Sequence, residues 1–107
     1  MTVAWSNHAQ DQRNDILRTI ARELSFDDAM RWADKFHEAA GQLADFPNIG
    51  TGIPAECFHT LPPNADRLRQ LICKPYRIVY EVAEEGIHVL SIRHSRMLVT
   101  AIDTYWN

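Results

Sequence analysis

The residues most able to do chemistry lie in the C-terminal half: Arg69, Arg77, Arg93 and Arg96, with His94 between the last two. They are spread over three strand-like segments, so a twisted sheet can bring them together. Convergent guanidiniums clamp phosphate or a partner's carboxylates through planar, multi-donor hydrogen bonds. The plainer reading makes each one a solvated strand residue or an internal partner for Glu81, Glu84 or Glu85. His94 divides evenly between a structural hydrogen bond and a functional role. In "KPYRIVYEV" (74–82), alternation puts Tyr76, Ile78 and Tyr80 on one side of a strand and Arg77, Val79 and Glu81 on the other. The tyrosines are then packing residues, and Arg77 is the side chain to test.

Other chemistries find little support. The five histidines, His8, His37, His59, His88 and His94, show no close ligand spacing. Cys57 and Cys73 form no CxxC motif, so no metal is expected and both are read as reduced, buried thiols. No GxSxG elbow and no glycine-rich phosphate loop appears, and no cofactor is expected. The net charge of −3 argues against a dedicated nucleic-acid binder. Its distribution is uneven: acids dominate early (Asp11, Asp15, Asp27, Asp28, Asp34, Glu38, Asp45), and bases are concentrated between Asp66 and Arg96. No apolar run reaches membrane-spanning length and no basic-then-apolar leader is visible, so the protein is expected in the cytoplasm, off the membrane.

The elements that must position these residues follow from periodicity. A chain of 107 residues with 46% apolar content fits one domain, 1–107. "MTVAW" reads as an edge strand. From about Ala9, Ile16, Leu17, Ile20 and Leu24 take helical spacing. "SFDD" starts a second helix, with Ser25 as cap and Asp28 at the capping-box position. That helix carries Ala29, Trp32, Ala33, Phe36, Ala39, Ala40 and Leu43 on one face, with Trp32 and Phe36 as core, and ends near Phe46 because Pro47 follows. Residues 47–66 hold four prolines and read as a surface connection with a short ordered piece at "ECFHTL". Three strands follow, "RLRQLIC", "YRIVYEVA" and "IHVLSIRH", turning at "KP" and "EEG". The expected architecture is α+β: an antiparallel helical hairpin on a small, mainly antiparallel sheet of three to four strands.

"LRQLICKPYRIVYEV" with "IHVLSIRHSRM" resembles the C-terminal signature of the RelE/ParE toxin superfamily, and "LADFPNIG" is similar to the end of that family's second helix and the loop after it. The resemblance covers most of the chain and implies the toxin of a type II toxin–antitoxin pair, neutralised by a cognate antitoxin. Members of the RelE-like branch cut messenger RNA in the ribosome with strand lysines, arginines and a C-terminal tyrosine. Carried onto this sequence, that implies catalytic roles for Arg77, Arg96 and Tyr105, with Arg77 stabilising the phosphorane. The lysine positions, however, hold Leu68 and Gln70, which offer no cation. The ParE-like branch implies a DNA gyrase poison that acts by binding, and the missing lysines do not count against it. It is the favoured branch, with Arg69, Arg77, Arg93, His94, Arg96 and Trp106 as target- or antitoxin-binding candidates. A third reading keeps antitoxin binding and co-repression without toxicity.

Two regions complete the expectation. In "LVTAIDTYWN", Leu98, Ala101, Ile102 and Tyr105 have helical spacing, which makes a short final helix packed on the body, or else leaves Trp106 as a contact for target or antitoxin. An antitoxin helix would lie in an apolar groove of the helical hairpin, or an extended segment would add to the sheet edge, with Arg69 or Arg93 meeting antitoxin carboxylates. A toxin homodimer and a hetero-oligomer with antitoxin both stay open.

Overall fold

A computed structural model describes all residues, 1–107. Its elements run β1 (Val3–Trp5), α1 (Asn7–Glu23), α2 (Phe26–Asp45), β2 (Thr51–Gly52), β3 (Leu68–Cys73), β4 (Tyr76–Ala83) and β5 (Gly86–His94). Short 3-10 turns occupy Ala55–Cys57, Ala65–Arg67 and Ala101–Thr104. Both helices begin at a serine whose hydroxyl takes an orphan backbone N–H: Ser6 from Ala9 and Ser25 from Asp28, each at 3.0 Å. The Ser25 hydroxyl also donates to the Asp28 carboxylate at 2.7 Å. The second helix ends at Phe46, as expected ahead of Pro47. Leu24 departs from its expected place on the core face. It is the C-cap of α1, one step past the last helical turn, and is 70% exposed.

The sheet has five strands, in the order β1-β5-β4-β3-β2, rather than three to four. The extra strand, β2, is two residues inside the proline-rich connection, too short to show alternation; it pairs antiparallel with Gln70 and Arg69. β1 pairs parallel with β5, and the other pairings are antiparallel. Gly86 begins β5 at φ +148°, a conformation open to glycine, and a Cβ there would stand 2.6 Å from the Thr2 carbonyl oxygen.

The two faces of the sheet carry separate cores. On the helix side, Ala9 of α1 and Phe36, Ala39 and Leu43 of α2 form one core with Ile78, Tyr80, Ile87, Val89 and Ile92 of the sheet. On the outer face, Leu68, Val79 and Leu90 pack under Ile53, Phe58 and Val99 from the flanking segments. A bulge makes this possible on β5. The register steps from Val79↔Ser91 to Tyr80↔Val89, so the strand gains a residue at Leu90 and its alternation changes parity. Ile87 and Val89 before the bulge and Ile92 after it therefore all face the helices. The expected tyrosine packing follows the same parity. Tyr80 is fully buried, and Tyr76 meets Trp32 and Phe36 edge-on, with centroids 5.1 and 5.5 Å apart.

Candidate functional site

The arginines separate by parity instead of converging. Arg69 is on the helix side of β3, while Arg77 and Arg93 are cross-strand partners on the outer face of β4 and β5. Arg69 donates to the carbonyls of Asn48, at 3.0 Å, and Gly50, and its buried Nε has no acceptor. It fastens the loop after α2. Tyr80 fastens the same loop, donating its hydroxyl to the Pro47 carbonyl at 2.9 Å and accepting from the Gly50 N–H at 3.0 Å. Gly50 is where that loop comes against the sheet: a Cβ there would stand 2.6 Å from the tyrosine oxygen.

Arg77 is only 7% exposed. Its Nε donates to Gln70 Oε1 at 2.8 Å, Nη1 donates to the Met97 carbonyl at 3.0 Å, and Nη2 points at Cys57 Sγ, 3.6 Å away. No carboxylate pairs with it. Gln70, which occupies a lysine position of the ribonuclease pattern, is thus a direct partner of this guanidinium. The Arg77 guanidinium thus faces internal partners and not solvent.

Arg93 is also committed internally. Its Nη1 reaches Asp103 Oδ2 at 2.9 Å, with longer contacts to the Leu98 carbonyl and Thr100 hydroxyl. Asp103 is fully buried, at 0% exposure. Its Oδ2 also accepts from the Thr100 N–H (2.9 Å) and hydroxyl (3.0 Å), and Oδ1 meets His8 Nε2 (2.8 Å) and Gln12 Nε2 (3.2 Å). Burial by itself would raise the Asp103 pKa. The Thr100 N–H, His8 and Arg93 outweigh it and hold the carboxyl below the ordinary carboxylate range. The residue ties the chain end to α1 and β5, and the same Gln12 accepts the Ile92 N–H at 2.8 Å.

This anchor reverses the expected packing of the tail. The final helix is a single 3-10 turn, Ala101–Thr104, with Asp103 and Thr104 buried. Leu98, Ile102, Tyr105 and Trp106 are instead exposed, the last two by half. Helical spacing identified one side of the turn correctly, but it is the outer side. The capping-box spacing of Thr100 and Asp103 was the available signal. Trp106 packs at a tilt against His88 (4.6 Å between centroids), which pairs with Glu85 at 3.0 Å. Of the remaining candidates, His94 packs near Tyr76 on the helix side, 6.2 Å between centroids, and accepts the Arg96 N–H at Nδ1 (3.2 Å). Arg96 itself is exposed in the turn after β5. Tyr105 and Arg96 therefore remain solvent-facing while Arg77 is enclosed.

A groove of about 330 Å³ runs between the helices and β1, lined in part by Trp5, Leu17, Ala33, Phe36 and Ala40, with Arg13 stacked on Trp5 at 4.8 Å. No helix is long and apolar enough to cross a membrane.

Comparison with known proteins agrees with this architecture. The family described as "ParE toxin of type II toxin-antitoxin system, parDE" matches residues 3–99. No curated protein matches. A solved structure described as "Chromosomal ParDE TA system from P. aeruginosa" is 21% identical and superposes with a TM-score of 0.68, covering 88% of this chain and 95% of that one. At that identity the likeness concerns the fold. The family match spans nearly the whole chain and takes in both helices and all five strands, so the chain belongs to the ParE toxin family of type II toxin–antitoxin systems.

Proposed function

We propose that this toxin arrests growth by binding DNA gyrase and is neutralised by a cognate antitoxin, both in the cytoplasm. The observation that carries the choice of target is the enclosure of Arg77. A ribonuclease built on this sheet needs an accessible cation to stabilise the phosphorane and a group to move the proton. Here the guanidinium is buried on Gln70, Met97 and Cys57, and Leu68 and Gln70 supply no cation in place of the lysines. A toxin that acts by docking needs neither. The exposed tail, with Leu98, Ile102, Tyr105 and Trp106, is the surface offered to the target, and Arg96 stands at its start. The antitoxin takes the groove between α1 and α2 with an amphipathic helix whose apolar side chains meet Leu17, Ala33 and Phe36. Arg69 and Arg93 have internal partners in Asn48, Gly50 and Asp103, and the proposed contacts therefore rest on the groove and the tail in place of these two side chains.

The test is pulse labelling after tightly controlled expression without antitoxin, following thymidine and methionine incorporation in one culture. A fall in DNA synthesis ahead of protein synthesis is the expected result. Collapse of methionine incorporation first would overturn it in favour of messenger RNA cleavage. Continued growth with both signals unchanged would make the chain an antitoxin-binding module alone.

A further inference from the structure

We infer that Arg13 anchors a carboxylate of the antitoxin helix, one helical turn from the aliphatic side chain that enters the groove. The inference rests on the proposal that an antitoxin helix occupies the groove between α1 and α2, and it names the chemistry by which that helix is recognised. The arginines of the two helices differ in one respect. Arg18, Arg22 and Arg31 each lie beside an acid of their own helix, Asp15, Glu23 and Asp28. Arg13 has no acid partner and donates to no protein acceptor, although it is half-buried. Its contact is the Trp5 ring, with 4.8 Å from the guanidinium carbon to the ring centroid. A group with five donors is thus left with none of them claimed inside the chain.

Its position gives those donors a use. Arg13 lines the groove with Leu17, Phe36 and Ala40, and the other polar lining residues, Asn14 and His37, also carry N–H donors. No acid lines the groove. On α1, Asp11 and Asp15 are each two residues from Arg13 and so lie on the opposite side of the helix. On α2, Asp34 and Glu38 follow Ala33 and His37 and have no cationic partner. A carboxylate entering the groove is therefore drawn to the α1 bank and repelled from the α2 bank, which orients the occupant. Arg13 and Leu17 are four residues apart, about 6 Å along the helix axis. A helix laid along α1 meets both when it carries an aspartate or glutamate three or four residues from a leucine or isoleucine. The anchor is set before a partner arrives: Trp5 is paired with Val89 in the sheet, and its carbonyl accepts from Gln10 at 2.9 Å. A guanidinium over an indole still offers N–H groups to a carboxylate, and a helix closing the groove takes water from the pair.

The probe is the small protein encoded in the reading frame beside this one, and its binding to the full chain is measured by calorimetric titration at about 0.05 and 0.5 M salt. Arg13→Gln should weaken binding about tenfold at the lower salt, and the gap should close at the higher one, where a charge pair is screened. Arg13→Lys keeps the charge without the planar fork and should fall between the two. Should the glutamine variant not fold, Arg13→Met keeps the apolar stem on Trp5 and carries the same expectation. Ala33→Trp fills the groove whatever the partner's charge, and it should abolish binding. If Ala33→Trp binds as tightly as wild type, or the wild-type chain does not bind, the groove is not the antitoxin's seat and the inference falls with that proposal. If Ala33→Trp fails to bind while Arg13→Gln matches wild type at both salts, the groove keeps its role and Arg13 is overturned as its anchor. An equal loss in Arg13→Gln at both salts also overturns the inference, because it assigns Arg13 to packing on Trp5.

Discussion

The two faces of the sheet use different physics to hold the same strands. On the helix face, Trp32, Phe36 and Tyr76 form a triangle with centroids 5.1–5.6 Å apart, and Ile78, Ile87, Val89 and Ile92 continue it. That cohesion is apolar area and dispersion, non-directional and graded with the volume removed. On the outer face a smaller apolar cluster is bordered by Gln70–Arg77–Met97 and Arg93–Asp103–His8. There, a few directional contacts decide where the connecting segment and the tail lie. The helix face therefore secures the fold, while the outer face fixes which surface the fold presents.

The largest effect should come from the helix face. Phe36 is 1% exposed, and Phe36→Ala should cost about 3–5 kcal/mol through lost transfer energy and the cavity left among Trp32, Tyr76 and Ile92. Urea denaturation would report it as a lower midpoint at nearly unchanged slope. A loss below about 1 kcal/mol would mean that the aromatic triangle is not the centre of the fold.

The Asp103 network tests the other half of the comparison. Asp103→Ala leaves Arg93 partly buried without its counter-ion, and should cost about 3 kcal/mol. Unlike the Phe36 loss, this one depends on pH. The folded-state pKa of Asp103 is depressed, so its contribution is complete above the ordinary carboxylate range and is lost as pH falls through the folded value. The wild-type protein should weaken across that acid window, and Asp103→Asn should flatten the decline, whereas Phe36→Ala should lower the whole stability curve evenly. Parallel acid limbs in wild type and Asp103→Asn would show that the carboxylate is not the titrating element.

Gly50 should give a smaller loss. It lies in the loop between α2 and β2, where Tyr80, buried on the helix face, accepts from its N–H and donates to the Pro47 carbonyl. Gly50→Ala should cost about 1–3 kcal/mol by overpacking, and Tyr80→Phe should relieve part of it because the tyrosine oxygen is one of the atoms a Cβ would meet. A double-mutant cycle showing no coupling would place the constraint in the backbone alone.

What was legible in the sequence follows the same division. The helix face could be read because it is periodic: Phe36, Ala39 and Leu43 recur at helical spacing, Ile78 and Tyr80 alternate, and the serine at the start of α2 caps it as its motif requires. The outer face is assembled from residues far apart in the chain. Arg77 meets Cys57, Gln70 and Met97, and Asp103 meets His8, Gln12 and Arg93. No local pattern announces such contacts: the sequence offers Glu81, Glu84 and Glu85 as internal partners, whereas three of the four arginines turn to Gln70, Asp103 and backbone carbonyls. The tail shows the cost of reading periodicity alone: its apolar spacing was real, but the buried side belongs to Asp103 and Thr104.

The smallest effect on stability should come from Trp106, and it separates presentation from folding. The indole is half-exposed and its aromatic contact is His88, so Trp106→Ala should change stability by less than about 1 kcal/mol. If the tail is the surface that meets the target, the same variant should blunt growth arrest even though the folded population is unchanged. The pair of measurements is a thermal melt of the purified chain and the growth of cells expressing it without antitoxin. Asp103→Ala calibrates the result, because it removes the carboxylate that ties the tail to Arg93, His8 and Gln12 and should reduce arrest while also lowering the melting temperature. A Trp106→Ala protein that melts normally and arrests growth at full strength would remove the indole from the target contact and leave Tyr105, Ile102 and Arg96 to account for it. Reduced arrest with an unchanged melt would assign the function of the outer face to what it holds in place, at a residue whose own packing the fold barely needs.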